Sequence, residues 1–222
     1  MSGRVFRFAP SSTSREHPHH LFVFLHGCGA TAQSMIPIAF KFQGRFPSAA
    51  LVVPSGFDPD ARGGAAQDWY PTLGLHCDNH RERVARVLPD VEDLVRREQT
   101  FFGVPACRTV LIGFSQGGTV ALESVKAPGL ASAVVAFSSR FAQTPARGSR
   151  IASRIHLVHG EFDSVVSRVY AERAARVLTG LHVPCTLDIV EHDGHELSHR
   201  AISLGSLRLL QGIYEGRRAT LH

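Results

Sequence analysis

Thr109-Val110-Leu111-Ile112-Gly113-Phe114-Ser115-Gln116-Gly117-Gly118-Thr119-Val120-Ala121-Leu122 is the stretch on which the fold turns. Its first four residues are apolar or β-branched, as in a strand covered on both faces, and Gly117 to Leu122 opens a helix. Between them Gly113-Phe114-Ser115-Gln116-Gly117 has the form G-x-S-x-G. Composition alone gives the pattern little weight, since roughly 0.15 copies are expected by chance in a chain with 20 Gly. Its setting changes that. A tight turn from strand to helix is where a serine projects from the carboxyl edge of a sheet. Glycines are needed at 113 and 117 because side chains there would collide across so sharp a turn. The helix aims its positive N-terminus at Ser115, which favours negative charge developing nearby.

The same alternation runs outward in both directions. Strands are expected at Val5–Phe8, His20–Leu25, Ala50–Val53, Thr109–Ile112, Ala133–Phe137, Arg154–Val158 and Thr186–Val190. Helices fit Gln33–Phe42, Asn79–Glu98, Gln116–Lys126, Arg168–Leu178 and Glu196–Tyr214. In the clearest of these, Val84, Val87, Leu88, Val91, Leu94 and Val95 form an apolar stripe while Arg81, Arg83, Arg86, Glu92 and Arg96 face water. Asp78 can cap its start, and Pro89 should kink or split it. Strand–helix alternation of this length implies a three-layer α/β sandwich with a mainly parallel central sheet. One domain is expected over residues 1–222, with its core at about 20–212. Two long loops interrupt the rhythm, Ser55–Cys77 with Trp69-Tyr70 inside it and Ser138–Ser153. The second leaves no room for a cap domain.

Composition narrows the classes. The net charge of +5 comes from 22 Arg against only Lys41 and Lys126, but the arginines are scattered and interleaved with Asp and Glu. Without a basic stripe carrying aromatic partners, no nucleic-acid partner is expected. Apolar runs such as Leu21–Leu25 are too short to span a membrane, and no signal peptide is legible. Cys28, Cys77, Cys107 and Cys185 are far apart and form no C-x-x-C pair, so they read as free, mostly buried thiols of a cytoplasmic protein.

A nucleophilic serine needs a base, an acid to orient that base, and donors for the oxyanion. In chain order the acid and then the histidine should each follow a strand. Asp163 follows Arg154–Val158, and His195 follows Thr186–Val190. Glu161 and Asp193 are rival acids, and His192 is a rival base. After His20–Leu25 comes His26-Gly27-Cys28-Gly29, whose glycines let backbone N–H groups turn toward a ligand. The backbone N–H groups of Cys28 and Gln116 are the expected oxyanion donors. His26 and His159 are expected to support turns. A competing motif shares His195: His195-Glu196-Leu197-Ser198-His199 reads H-E-x-x-H, a zinc-peptidase pattern. That pattern belongs inside a helix, whereas here Asp193-Gly194 marks a helix start. The downstream candidate ligands Glu215 and His222 lie in a tail, and zinc would leave the serine turn unexplained. No metal and no cofactor are therefore expected.

With these residues in place, the chain resembles the carboxylesterase/phospholipase family of α/β-hydrolases, in the branch that includes acyl-protein thioesterases and small bacterial esterases. The likeness rests on Phe24-Leu25-His26-Gly27, Gly113-Phe114-Ser115-Gln116-Gly117, Ala121–Ser124, His156–Gly160 with Asp163, and Leu187–Val190 with Gly194-His195. It implies an α/β-hydrolase fold, a triad of Ser115, Asp163 and His195, and hydrolysis of a small-molecule ester or thioester. Trp69-Tyr70 resembles the family's Trp-Phe pair at the substrate pocket. Cys28-Gly29-Ala30 departs from the Leu-Gly-Asp common among relatives. The reading that follows is a serine carboxylesterase acting on short- to medium-chain acyl esters. Its alternatives are a thioesterase or lysophospholipase using the same triad, a zinc peptidase, and a non-catalytic binding protein on a hydrolase scaffold.

Overall fold

Buried strands organise the molecule because their residues are apolar on both faces. The computed structural model describes residues 4–12, 17–59, 65–127 and 129–219. In chain order the elements are β1 (Val5–Phe8), β2 (His20–Leu25), α1 (Ile36–Arg45), β3 (Ala49–Pro54), β4 (Asp58–Pro59), β5 (Gln67–Asp68), α2 (Cys77–Phe102), β6 (Thr109–Phe114), α3 (Gln116–Ser124), β7 (Ala133–Phe137), β8 (Arg154–Gly160), α4 (Val169–Gly180), β9 (Cys185–Val190) and α5 (His199–Ala219). Seven strands form one sheet in the order β1-β3-β2-β6-β7-β8-β9, while β4 and β5 make a small separate pair. Only β1 runs antiparallel; the other six are parallel.

Successive side chains of a strand point to opposite faces, and the core divides accordingly. Leu21, Val23 and Leu25 of β2 pack with Val84, Val91 and Val95 of α2, Val120 of α3 and Leu178 of α4. Phe22 and Phe24 pack on the other face with Phe42 of α1 and Ile202 and Leu209 of α5. This is the expected three-layer sandwich, an α/β-hydrolase fold, and the described residues include no cap domain. Parallel strands place all their carboxyl ends on one edge of the sheet. The segments beginning at His26, Ser115, Ser138, Glu161 and Glu191 therefore gather there.

Several local expectations need correction. The helix expected from Asn79 is longer, and His76 rather than Asp78 caps it: the His76 ring and the Asn79 side chain satisfy each other's backbone N–H groups. Pro89 neither splits it nor ends it. The carbonyl that Pro89 leaves without an amide belongs to Ala85, and both residues are exposed, so water can satisfy it. The last helix begins at His199, not Glu196. The cysteines form no disulfide among the described residues, but they are not mostly buried: Cys28, Cys77 and Cys107 are exposed and Cys185 is half-buried. Composition also hid an ion pair, in which Arg7 Nε and Nη2 donate to the buried Glu98 carboxylate at 2.6 and 2.8 Å.

Because Pro89 sits on a solvated face, its replacement restores a helix hydrogen bond without disturbing the core. Pro89→Ala is expected to stabilise the protein by about 1–2 kcal/mol. Urea unfolding would measure this, and an unchanged or lower midpoint would show that the helix is built around the proline.

Candidate active site

Ser115 stands at the turn from β6 to α3 with φ 53° and ψ −114°, a strained conformation outside the regions most residues adopt. Its surroundings fix it. A Cβ at Gly117 would lie 2.3 Å from the Leu25 carbonyl oxygen, and one at Gly113 would lie 2.5 Å from the Gly117 carbonyl carbon. Both glycines are thus required by contact between backbones, as their positions in the motif suggested. The Ser115 N–H donates to Phe137 O at 2.9 Å, tying the turn to the end of β7.

The strand ends bring the three expected side chains together. His195 Nε2 lies 3.0 Å from Ser115 Oγ, and His195 Nδ1 lies 2.8 Å from Asp163 Oδ2. With its proton on Nδ1, the neutral ring donates to the carboxylate and accepts from the serine hydroxyl. Phe114 holds the ring from the side, with centroids 5.0 Å apart. The other carboxylate oxygen of Asp163 accepts the Val165 and Val166 N–H groups at 2.9 and 2.8 Å. Burial pushes the Asp163 carboxyl up, but hydrogen bonds from His195, Val166 and Val165 outweigh it and hold the group below the usual carboxylate range. His159 donates to Val166 O at 2.7 Å and so fixes the same turn; burial holds it below the usual histidine range.

The rivals are engaged elsewhere. Asp193 accepts from Ser198 Oγ, Glu161 accepts the His192 N–H at 3.2 Å, and the His192 ring packs on Phe162 at 6.2 Å. His195 to Ser198 lie outside any helix, so the H-E-x-x-H residues do not form one helical face. Among the described residues no group of three or more His, Cys, Asp or Glu could hold a metal ion. Glu215 instead pairs with Arg154 at 2.9 Å, and His222 lies outside the described residues.

Cys28 and Gln116 both border the cleft that holds Ser115. Gln116 is the first residue of α3, whose N–H has no acceptor within the helix. The turn carrying Cys28 is fixed by two residues the sequence reading did not single out for this purpose. Asp68 accepts the Gly29 N–H at 2.7 Å, and its second oxygen accepts from Thr72 Oγ1 at 3.0 Å. Trp69 donates its indole N–H to His26 O at 2.9 Å. His26 supports the turn as expected, accepting the Gly56 N–H on Nε2 at 2.9 Å. The Gln116 side chain also has a use beyond its backbone, accepting from Trp69 N and donating to Tyr70 O, both at 2.8 Å.

Trp69 is fully buried behind this turn and does not line the cleft around Ser115, whereas Tyr70 does. The Tyr70 hydroxyl lies 2.9 Å from His80 Nε2. Burial, helped by the Arg140 charge, lowers the His80 pKa to about 4. The cleft is small, about 280 Å³. Residues 60–64 of the long loop lie outside the described residues.

Neutral His80 makes stability depend on pH. Its folded pKa is depressed to about 4, so below about pH 6.5 the unfolded chain takes up a proton that the folded protein refuses. Its contribution is complete above pH 6.5 and is lost as pH falls toward 4, at no more than about 1.4 kcal/mol per pH unit. Urea midpoints from pH 7 to 4.5 should fall less steeply for His80→Asn than for wild type; parallel curves would refute this account.

Comparison with known proteins agrees with the architecture. The model of the phospholipase/carboxylesterase family matches residues 11–204. Esterase YpfH of Escherichia coli K12 is 39% identical over 183 residues, covering 82% of this chain and 78% of that protein. Acyl-protein thioesterase 1 of Cryptococcus neoformans is 29% identical over 108 residues, 45% of each chain. The crystal structure of esterase PE8 superposes with a TM-score of 0.84 at 24% identity, covering 95% of this chain and 98% of that one.

Proposed function

This chain belongs to the phospholipase/carboxylesterase family and is a serine hydrolase acting on ester bonds, and we propose that Ser115, His195 and Asp163 are its catalytic triad. The observation that carries the assignment is the unbroken chain of contacts from Asp163 Oδ2 through both ring nitrogens of His195 to Ser115 Oγ, at 2.8 and 3.0 Å. Ser115 Oγ attacks the ester carbonyl carbon as His195 Nε2 takes its proton. Asp163, buried and ionised, stabilises the imidazolium. The backbone N–H groups of Cys28 and Gln116 hold the oxyanion. Collapse breaks the bond to the alcohol, which leaves with the proton from His195. Water then attacks the acyl-enzyme, gives His195 a proton that passes to Ser115 Oγ, and releases the carboxylic acid.

Short- to medium-chain esters are the substrates we infer. The cleft of about 280 Å³ is at the lower limit for small-molecule sites, and among the described residues there is no cap to deepen it. A thioester is the second reading, favoured by the likeness to acyl-protein thioesterase 1. No helix of the described residues is long and apolar enough to cross a membrane, and four cysteines outside any disulfide suit the cytoplasm.

A fluorophosphonate should label Ser115, and Ser115→Ala should lower kcat by roughly 10⁴ or more. Labelling elsewhere, or near wild-type turnover, would refute the assignment. His199→Ala and exhaustive chelation should each leave activity within about threefold, because this chemistry needs no metal; loss under both, restored by zinc, would establish a metal enzyme. On nitrophenyl esters kcat/KM should peak between roughly butyrate and octanoate, each methylene adding at most about 0.8 kcal/mol. A steady rise through palmitate would show that the acyl chain finds a deeper channel.

A further inference from the structure

Among the described residues that line the cleft around Ser115 there is no aspartate or glutamate, but there is one arginine. Arg140 is carried by the turn after β7, and that turn is rigid. Ser138 sits at φ 45° with its N–H donating to Val158 O at 2.9 Å, and Ser139 Oγ donates to Phe137 O at 2.5 Å. Ser139 presses so closely on α3 that a Cβ at Gly118 would lie 1.9 Å from its Oγ. The backbone of Arg140 is therefore pinned beside the first turn of α3, the turn that begins at Ser115.

A guanidinium is out of place there unless something anionic joins it. The N-terminus of a helix disfavours a cation. Elsewhere Arg208 grips Asp188 at 2.7 and 2.8 Å, Arg154 pairs with Glu215 at 2.9 Å, and the half-buried Arg83 donates to the carbonyls of Pro71, Leu73 and Gly74 at 2.7 to 3.1 Å. Among the described residues no carboxylate pairs with Arg140. Its neighbour is the ring of Tyr170, whose centroid lies 4.8 Å from the guanidinium carbon. That contact holds the side chain by its face and satisfies none of its five N–H donors. His80, which also lines the cleft, has its pKa lowered to about 4 and adds no positive charge there at physiological pH. A fixed positive charge with unused donors thus faces the space where a substrate must lie. A planar fork of this kind suits a carboxylate or a phosphate.

From this we infer that Arg140 is a specificity-determining residue that selects esters bearing an anionic oxygen group, carboxylate or phosphate, close to the scissile carbonyl. The inference rests on the esterase reading above. It deepens that reading by naming the charge of the substrate.

Four nitrophenyl or phenyl esters test it: a neutral butyrate, a hemiglutarate with a carboxylate on the acyl side, and butyrates whose leaving phenol carries a carboxylate or a phosphate. The readout is the ratio of kcat/KM on each anionic ester to that on the neutral one. At least one ratio should fall about tenfold or more in Arg140→Gln, fall further in Arg140→Glu, and be partly kept in Arg140→Lys. The ester that responds identifies which group is recognised and on which side of the bond. The advantage should also shrink between about 0.02 and about 0.5 M salt. Stoichiometric labelling of Ser115 by a neutral fluorophosphonate checks that each variant is folded, and Arg140→Lys carries the test if Arg140→Gln is not. Ratios that do not change with residue 140 would overturn the inference while leaving the esterase intact. Equal loss on all four esters would make Arg140 an oxyanion donor and overturn it too. Failure of the wild-type protein to turn over any ester would instead sink the esterase reading, and this inference with it.

Discussion

Close approach of backbone to backbone at the β6–α3 turn is the constraint on which the site depends. A Cβ at Gly117 would lie 2.3 and 2.5 Å from the carbonyl oxygens of Leu25 and His26, so only glycine lets α3 begin against the end of β2. The strain at Ser115, of order 1–3 kcal/mol, persists because its neighbours over-determine it. Its N–H is held by Phe137 O on β7. Three adjacent strands thus fix one hydroxyl, and the positive end of α3 and the turn carrying Cys28 are set by the same contacts.

A second contact of this kind fixes Asp163 relative to His195. A Cβ at Gly160 would lie 2.2 Å from Gly194 O and 2.7 Å from Asp193 O. The Phe162 N–H donates to Asp193 O at 2.8 Å, and the Glu161 N–H donates to Val190 O at 3.0 Å. The segments after β8 and β9 are therefore one packed unit, so the separation of Asp163 from His195 is settled by main chain rather than by flexible side chains. Burial alone pushes the Asp163 carboxyl toward its neutral form. Two backbone amides and the imidazole keep it ionised, which is the state the proposed mechanism needs.

Much of this was legible in the sequence, for physical reasons that also mark where legibility stopped. Fully buried parallel strands must be apolar on both faces, so β2, β6, β7 and β8 announced themselves as runs, and parallel topology then placed Ser115, Asp163 and His195 on one edge. Helix ends were less visible: His76 and Asn79 cap α2 through a reciprocal pair that Asp78 obscured, and the tolerance of Pro89 depends on which face of the helix is wet. Exposure of Cys28, Cys77 and Cys107 depends on loops and helix starts, where cysteine's usual preference for the interior does not decide. Asp68 and the Gln116 side chain act across 39 and 47 residues of sequence. No local pattern connects such positions, so the clamping of Gly29 by Asp68 and of Trp69-Tyr70 by Gln116 emerges only in three dimensions. Trp69 was placed near the site by its motif, but the same contacts put it behind the turn carrying Cys28 instead of on the cleft wall around Ser115.

The division between what is packed and what is free explains how one fold keeps its chemistry while its substrate can vary. Ser115, Asp163 and His195 are held by strand ends and glycine contacts that tolerate almost no change. The cleft walls come from other places: Thr72 and Leu75 before α2, Arg140 after β7, Val165 and Tyr170 before and within α4. Val165 and Tyr170 are exposed apolar side chains of this cleft, and Arg140 has no carboxylate partner among the described residues, so folding alone does not favour any of the three. Features that burden the free protein make sense where a ligand completes them. An apolar rim suits the hydrocarbon part of an ester, and a guanidinium without a carboxylate suits an anion. Both can alter without disturbing a single backbone contact that positions the serine.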